Sequence, residues 1–361
     1  MSDKNRDYTD WAKEHIRGLE NILMPSFTPD FKDLDEDGIC LDIRRSMEHG
    51  FFSTFAVPLS LSPEERLKFF QICTHEAGDR IKVGTPLIAP DEASQHAYLD
   101  DCAAAGLSHV LAHPWHTWQP ESADGLFEFY RSISEYTDLA VELWATDGWQ
   151  CRHLHPSNVV VDVFDRAADL PNVVALKLMA TLDLPVVYEL CERVSDRVLV
   201  AGVHLGIAPL LVKHYGMQWS GAWTAEALQS PEQRNVVDYL DLLLEGREAE
   251  AFDIYYRVKP AYEALYALMA PMLPKGVHPF THLKYYQWCM GGNGGLLREA
   301  EDPNEAEFPL RPDERQKVRE AFQSIELQPT NDPDECFAVG RAAYGAGARS
   351  GDMPVKHTYI E

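Results

Sequence analysis

Basic residues are scarce in this chain of 361 residues: 32 Lys and Arg stand against 57 Asp and Glu, a formal net charge of −25. Phosphate backbones and anionic lipid are bound by clustered cations, so nucleic acid and membrane are set aside as partners. Long apolar runs are lacking too, and no stretch approaches the ~18 consecutive apolar residues of a spanning helix. The opening MSDKNRDYTDWAKEH has no apolar segment of the signal-peptide kind, so a cytoplasmic location is expected. Cysteines number seven, an odd count without C-x-x-C spacing, which speaks for free thiols in a reducing compartment.

What is present is alternation. Short β-branched or apolar runs are followed by helical patterns, with strands expected near 21–26, 50–56, 81–88, 108–113, 139–145, 172–178, 197–203 and 216–221. Eight strands, each followed by a helical stretch, are what an α/β protein of the (β/α)8 TIM-barrel class requires. A doubly wound sheet would also alternate, but it should carry a Gly-rich phosphate loop after its first strand, and NILMPSFTPDF holds none. Helix starts agree: Ser62-Pro63-Glu64-Glu65 reads as a capping box with proline at the first helical position. Pro120-Glu121-Ser122 and Pro156-Ser157 are expected to open the helices after strands 4 and 5. From about 226 the pattern is purely helical, then irregular around GGNGG and AEDPNEAEFPLRPDE. The expected division is a helical extension over 1–20, a barrel over 21–225 and a C-terminal helical domain with an irregular tail over 226–361.

One strand carries a residue that chemistry could use. Asn172-Val173-Val174-Ala175-Leu176-Lys177-Leu178 is apolar and ends on a lysine. Barrel active sites gather at the carboxyl ends of strands. A lysine among apolar neighbours there loses affinity for its proton and becomes an amine nucleophile toward a carbonyl. On spacing alone, a lysine that snorkels out of a strand end stays open as the plainer reading.

PNVVALK, followed by RVLVAG and then by HYGMQWSGAW, resembles the dihydrodipicolinate synthase/N-acetylneuraminate lyase family. GFFSTFAVPLSLSPEERLKFF is similar to that family's Gly-Thr-Thr-Gly-Glu loop and the helix after it, and AHPWHTWQPESADGLFEFYRSI to its Pro-Tyr-Tyr segment. LLLEGREAEAFDIYYRVKPAYEAL and HPFTHLKYYQWCMGGNGGLLR resemble its C-terminal helices, so the likeness spans roughly 20–298. It implies that Lys177 forms a Schiff base without metal or other cofactor, and that the chain assembles as a homodimer or homotetramer.

Departures from the family pattern bear on substrate. The paired threonines fall on Thr54 and Phe55; Phe55 can neither hold a pyruvate-type carboxylate nor relay a proton, and Val57 replaces a glutamate. The strand-5 tyrosine falls on Trp144, whose indole cannot exchange protons near neutrality, and the second relay tyrosine falls on His116. A histidine titrates in a range suited to acid/base work, so His116 is expected to replace the phenol relay. Histidines and tryptophans also gather after the strands: His113, Trp115, His116 and Trp118, then Trp144, Trp149, Arg152, His153 and His155, then His204, Trp219 and Trp223. Core filling under loops explains part of this set. The functional reading is an aromatic-walled pocket for an apolar or aromatic substrate. Arg152 could supply the missing carboxylate contact, or pair on the surface. His113-x-x-His116 and His153-x-His155 could ligate zinc, but no acidic third ligand is fixed beside them. Asn293 reads as a turn residue.

The expectation is a lyase of the aldolase or hydratase-aldolase type. Lys177 would form the imine with a small-molecule carbonyl substrate, His116 would shuttle protons and Thr54 would hydrogen-bond. Phe55, Trp115, Trp144, Arg152, His204 and Trp219 would contact substrate. A dehydratase or decarboxylase using the same lysine, and a non-catalytic ligand-binding barrel, are the alternatives.

Overall fold

The structure, a computed structural model, describes residues 8–89, 91–112, 114, 118–146, 151–179, 183–221, 228–272, 278–298 and 308–354. After a first helix, α1 (Tyr8–His15), the strands are β1 (Gly18–Leu23), β2 (Ser53–Ala56), β3 (Lys82–Pro86) and β4 (His109–Ala112). Then come β5 (Ala140–Ala145), β6 (Val173–Leu178), β7 (Leu199–Gly202) and β8 (Trp219–Ser220). All pair in parallel, and the hydrogen-bonded order runs β7-β6-β5-β4-β3-β2-β1-β8. The seam between β7 and β8 is bridged by Ser220 Oγ, which donates to the Gly202 carbonyl at 2.8 Å. This is the expected (β/α)8 barrel.

Parallel strands covered on both faces need apolar side chains on both, and β6 is buried along its whole length. Between the strands lie α2 (Glu36–Glu48), α3 (Pro63–Ala77), α4 (Glu92–Ala105), α5 (Ala123–Tyr136), α6 (Val161–Ala167), α7 (Leu184–Val194) and α8 (Ala208–Tyr215). The capping box of α3 is formed: Ser62 Oγ accepts from Glu65 N, and Glu65 Oε2 accepts from Ser62 N at 2.9 Å. Ser122 caps α5, accepting from Gly125 N at 3.0 Å.

Three of the boundaries that differ from the sequence reading have a visible cause. β1 lies over Gly18–Leu23 instead of 21–26, because two polar residues inside it, Glu20 and Asn21, have buried partners: the Asn21 amide donates to Ser46 Oγ at 2.8 Å. Pro156-Ser157 does not open α6, which starts at Val161; Asn158, with φ of 63°, instead accepts from Cys151 N at 2.6 Å and closes a turn. β8 shrinks to two residues, since Gly216 with φ of 67° ends α8 in the left-handed conformation.

C-terminal to the strands lie α9 (Asn235–Leu244), α10 (Glu248–Met269), α11 (Phe280–Cys289), α12 (Pro312–Ser324), α13 (Asp334–Val339) and α14 (Arg341–Gly345). α9 packs on β1 and on α8. Asn293 is more than a turn residue. It is fully buried; its amide N–H donates to Asp42 at 2.6 Å, its side chain donates to Ser26 Oγ at 3.0 Å and accepts from Ala342 N at 2.8 Å. Beside it Lys284, also buried, donates to the Pro25 carbonyl at 2.6 Å. No helix of the described residues is long and apolar enough to cross a membrane.

Candidate active site

The floor of the barrel is apolar and closely packed. Ala140, Ala175 and Ala201 leave room there for the fully buried indole of Trp219, and Ala12 and Ile16 at α1 close it from below. Trp219 therefore belongs to the amino end of the barrel and is not a wall of a rim pocket.

Above this floor the lumen turns ionic. Alternation along β6 sends Lys177 inward two residues beyond Ala175, and a bulge at Val174 resets the β6 pleat against β5 just before it. Lys177 is only 5% exposed, stands level with Trp144 across the β5–β6 ladder, and holds Nζ 5.0 Å from the centre of the Phe55 ring. Glu20 reaches it from β1, Oε2 to Nζ 3.8 Å. The other oxygen of Glu20 is occupied: His109 Nε2 lies 2.9 Å from Oε1 and Ser53 Oγ donates to the same atom at 3.0 Å. His109 Nδ1 is 2.8 Å from Ser108 Oγ, which orients the ring. Glu142 on β5 is fully buried, with Oε1 3.8 Å from His109 Nε2 and no hydrogen-bond partner among the described residues.

Two glycines make room for this cluster. A Cβ at Gly84 would stand 2.1 Å from His109 Nε2, and one at Gly221 would stand 2.4 Å from Lys177 Nζ. Nearer approach than about 3 Å is closed to real carbon atoms, so any side chain at these positions would displace the ionic groups.

Charge sharing sets the protonation. Burial alone would raise the Glu20 carboxyl, but the His109 hydrogen bond and charge, with Lys177, outweigh it and hold Glu20 below the usual carboxylate range. Burial would lower His109, and the carboxylates of Glu142 and Glu20 outweigh it and raise the imidazole. Glu142 has no donor to offset burial and is pushed up to about 7. The arrangement is a salt-bridged acid and base pair under a lysine, with a third carboxyl that changes state near neutrality. Glu20, His109 and Glu142 also bring one ligand atom each within 4.8 Å of one another, the spacing a metal could use. Glu20 Oε1 and His109 Nε2 lie within direct hydrogen-bonding distance of each other, 2.9 Å, and Lys177 Nζ stands 3.8 Å from the same carboxylate.

Other expected site residues are spread more widely. Thr54 is fully buried, but alternation from Phe55 and Ser53 puts it on the outward face with Asn21, away from Lys177. His204 caps a 3-10 turn, Nδ1 accepting from Gly206 N at 3.1 Å, with its ring edge-on to Tyr262 in a groove outside β6 and β7. Arg152 is exposed. His153 ties the loops after β4 and β5 together, its Nε2 2.8 Å from the Pro120 carbonyl, and His155 Nδ1 is 2.7 Å from Ser157 Oγ. Both rings thus use a nitrogen on the protein. Trp118 packs on Phe129 with centroids 5.5 Å apart, as core. His113, Trp115, His116, Trp149 and Trp223 lie outside the described residues.

No protein-family model matches the chain. Curated relatives do. It is 26% identical over 261 residues to the 4-hydroxy-tetrahydrodipicolinate synthase of Methanothrix thermoacetophila, covering 69% of this chain and 83% of that protein. It is 24% identical over 266 residues to the protein of the same name from Methanopyrus kandleri, covering 71% and 84%. Among solved structures, dihydrodipicolinate synthase from Oceanobacillus iheyensis superposes with a TM-score of 0.68 at 21% identity, over 88% of this chain and 99% of that one. The Agrobacterium tumefaciens enzyme gives 0.66 at 17% identity, over 87% and 99%. With the barrel, the C-terminal helices and the inward lysine on β6, these likenesses make the chain a divergent member of the dihydrodipicolinate synthase/N-acetylneuraminate lyase family of class I aldolase-type lyases.

Proposed function

We propose that the chain is a Schiff-base lyase that condenses Lys177 with a carbonyl substrate carrying an aromatic or bulky apolar part. The observation that carries this reading is the placement of Lys177: buried in the lumen, at the carboxyl end of β6, with an aromatic ring 5.0 Å from its amine. A cation is seldom buried without use or partner, and here the lumen supplies a carboxylate, Glu20. Phe55 sets an apolar ring beside the amine where a pyruvate-type carboxylate would need donors, which favours a larger apolar substituent at that point. Cleavage of a bond β to the carbonyl, or loss of water, follows from the iminium as electron sink. On the substrate side the proposal keeps His116 as the proton-moving group, on its chemistry alone. Thr54 has no part in it. The seven unpaired cysteines accord with a reducing compartment. Borohydride added with phenylpyruvate should leave a stable mass increment on the wild-type protein and none on Lys177→Ala. An equal increment on both would remove the proposal.

A further inference from the structure

We infer that Glu20 is the general acid and base of imine formation on Lys177, acting from beneath the lysine within the lumen, with His109 and Ser53 as its positioning residues. This rests on the Schiff-base reading of Lys177 and adds a catalytic group to it. The geometry divides the two oxygens of Glu20. Oε1 is held by His109 at 2.9 Å and Ser53 at 3.0 Å, whereas Oε2 has no hydrogen-bond partner among the described residues and faces Nζ at 3.8 Å. A buried carboxylate oxygen left unpaired is costly, and the cost is recovered when that oxygen takes up or gives a proton. Glycine at position 221 keeps the space between the two groups free of side chain.

The chemistry balances on these groups. Lys177 enters as an ammonium and passes one proton to Oε2. The freed amine attacks the carbonyl carbon: the C–N bond forms, the C–O π bond breaks, and a second proton moves from nitrogen to oxygen within the adduct. Glu20 then returns its proton to that oxygen, the C–O bond breaks and water leaves, and the nitrogen lone pair closes the C=N bond. Ammonium and ketone have become iminium and water, and Glu20 is again a carboxylate. Hydrolysis runs the same steps backwards. The groups facing this exchange are Ser53 on β2, His109 on β4, Glu142 on β5 and Lys177 on β6.

The test is the rate at which phenylpyruvate forms a borohydride-reducible adduct on the full-length protein, stopped at timed intervals. Glu20→Gln keeps shape but cannot carry a proton, and should slow adduct formation by about 10²–10⁴-fold, the usual worth of general acid–base catalysis. Glu20→Asp should recover part of it. His109→Asn should shift the pH dependence of the rate while Lys177 still forms the adduct. Should Glu20→Gln fail to fold, Glu20→Gln/His109→Gln removes both charges of the pair and carries the same expectation. A folded variant lacking Glu20 that forms the adduct at the wild-type rate overturns the inference and leaves the Schiff base standing. Stoichiometric zinc in the purified protein, lost on Glu20→Gln, overturns it in favour of a metal site. A wild-type protein that forms no adduct overturns both readings.

Discussion

Glu20 on β1 and Lys177 on β6 meet across the barrel lumen, with Oε2 3.8 Å from Nζ. Neither charge could be buried alone, since desolvation costs several kcal/mol per ion, and a bare pair hardly does better. The surroundings make it tenable: His109 and Ser53 saturate one oxygen of Glu20, and Gly221 yields the space the amine occupies. This pairing ties the stability of the barrel to the protonation of its centre.

That link has a measurable sign at Glu142. Its carboxyl ionises at about 7 in the folded protein against 4.5 as the ordinary value. Between those pH values the unfolded chain has lost the proton and the folded protein keeps it, so stability falls as pH rises and levels off above about 7. Glu142→Gln has no proton to lose. Its stability relative to wild type should rise from pH 4.5 to 7, by up to about 3 kcal/mol. Urea unfolding at a series of pH values checks this, and a constant difference across the window would refute it.

Gly221→Ala should displace the amine, because the new methyl would lie 2.4 Å from Nζ and 2.9 Å from Cε. Adduct formation should drop at least tenfold, and the melting temperature should fall by several degrees, since overpacking a buried site costs about 1–3 kcal/mol. Gly345→Ala, where nothing lies within 4 Å, is the control and should behave as wild type.

The barrel was legible because each strand is a short apolar run bounded by turn or cap residues, and Lys177 because it ends such a run. The ionic layer beneath it was not. Glu20, His109 and Glu142 sit singly in three strands, and only the inter-strand register brings them together. Reading the first strand at 21–26 left Glu20 outside it. One signal was available: Glu142 in AVELWA and His109 in SHVLA are lone ionisable residues in otherwise apolar strands, which are seldom buried without partners. Trp219 misled for the converse reason, since proximity to a strand end in sequence does not say which end of so short a strand the ring fills.

His116→Phe and Glu20→Gln should fail at different steps. With the His116 imidazole removed, turnover of a substrate the wild type consumes should fall by about 10²–10⁴-fold, while the borohydride adduct still forms at the wild-type rate. Loss of the adduct in His116→Phe would shift its role from the substrate to the imine itself.

The proposed preference for an apolar substituent beside Phe55 can be read from binding. Titration of tryptophan fluorescence should show phenylpyruvate binding more tightly than pyruvate. Phe55→Thr should strengthen pyruvate binding by about tenfold or more, the worth of one hydrogen bond to a charged group. Pyruvate bound tightly by the wild type, with no gain in the variant, would contradict the apolar pocket.

Among the described residues two lysines are buried and could carry an imine, Lys177 in the lumen and Lys284 bonded to the Pro25 carbonyl. Peptide mapping by mass spectrometry after borohydride reduction with phenylpyruvate separates them. The expected result is a single reduced adduct on the peptide containing Lys177, absent without the carbonyl compound. An adduct on Lys284, or none on Lys177, would contradict a Schiff base at the end of β6.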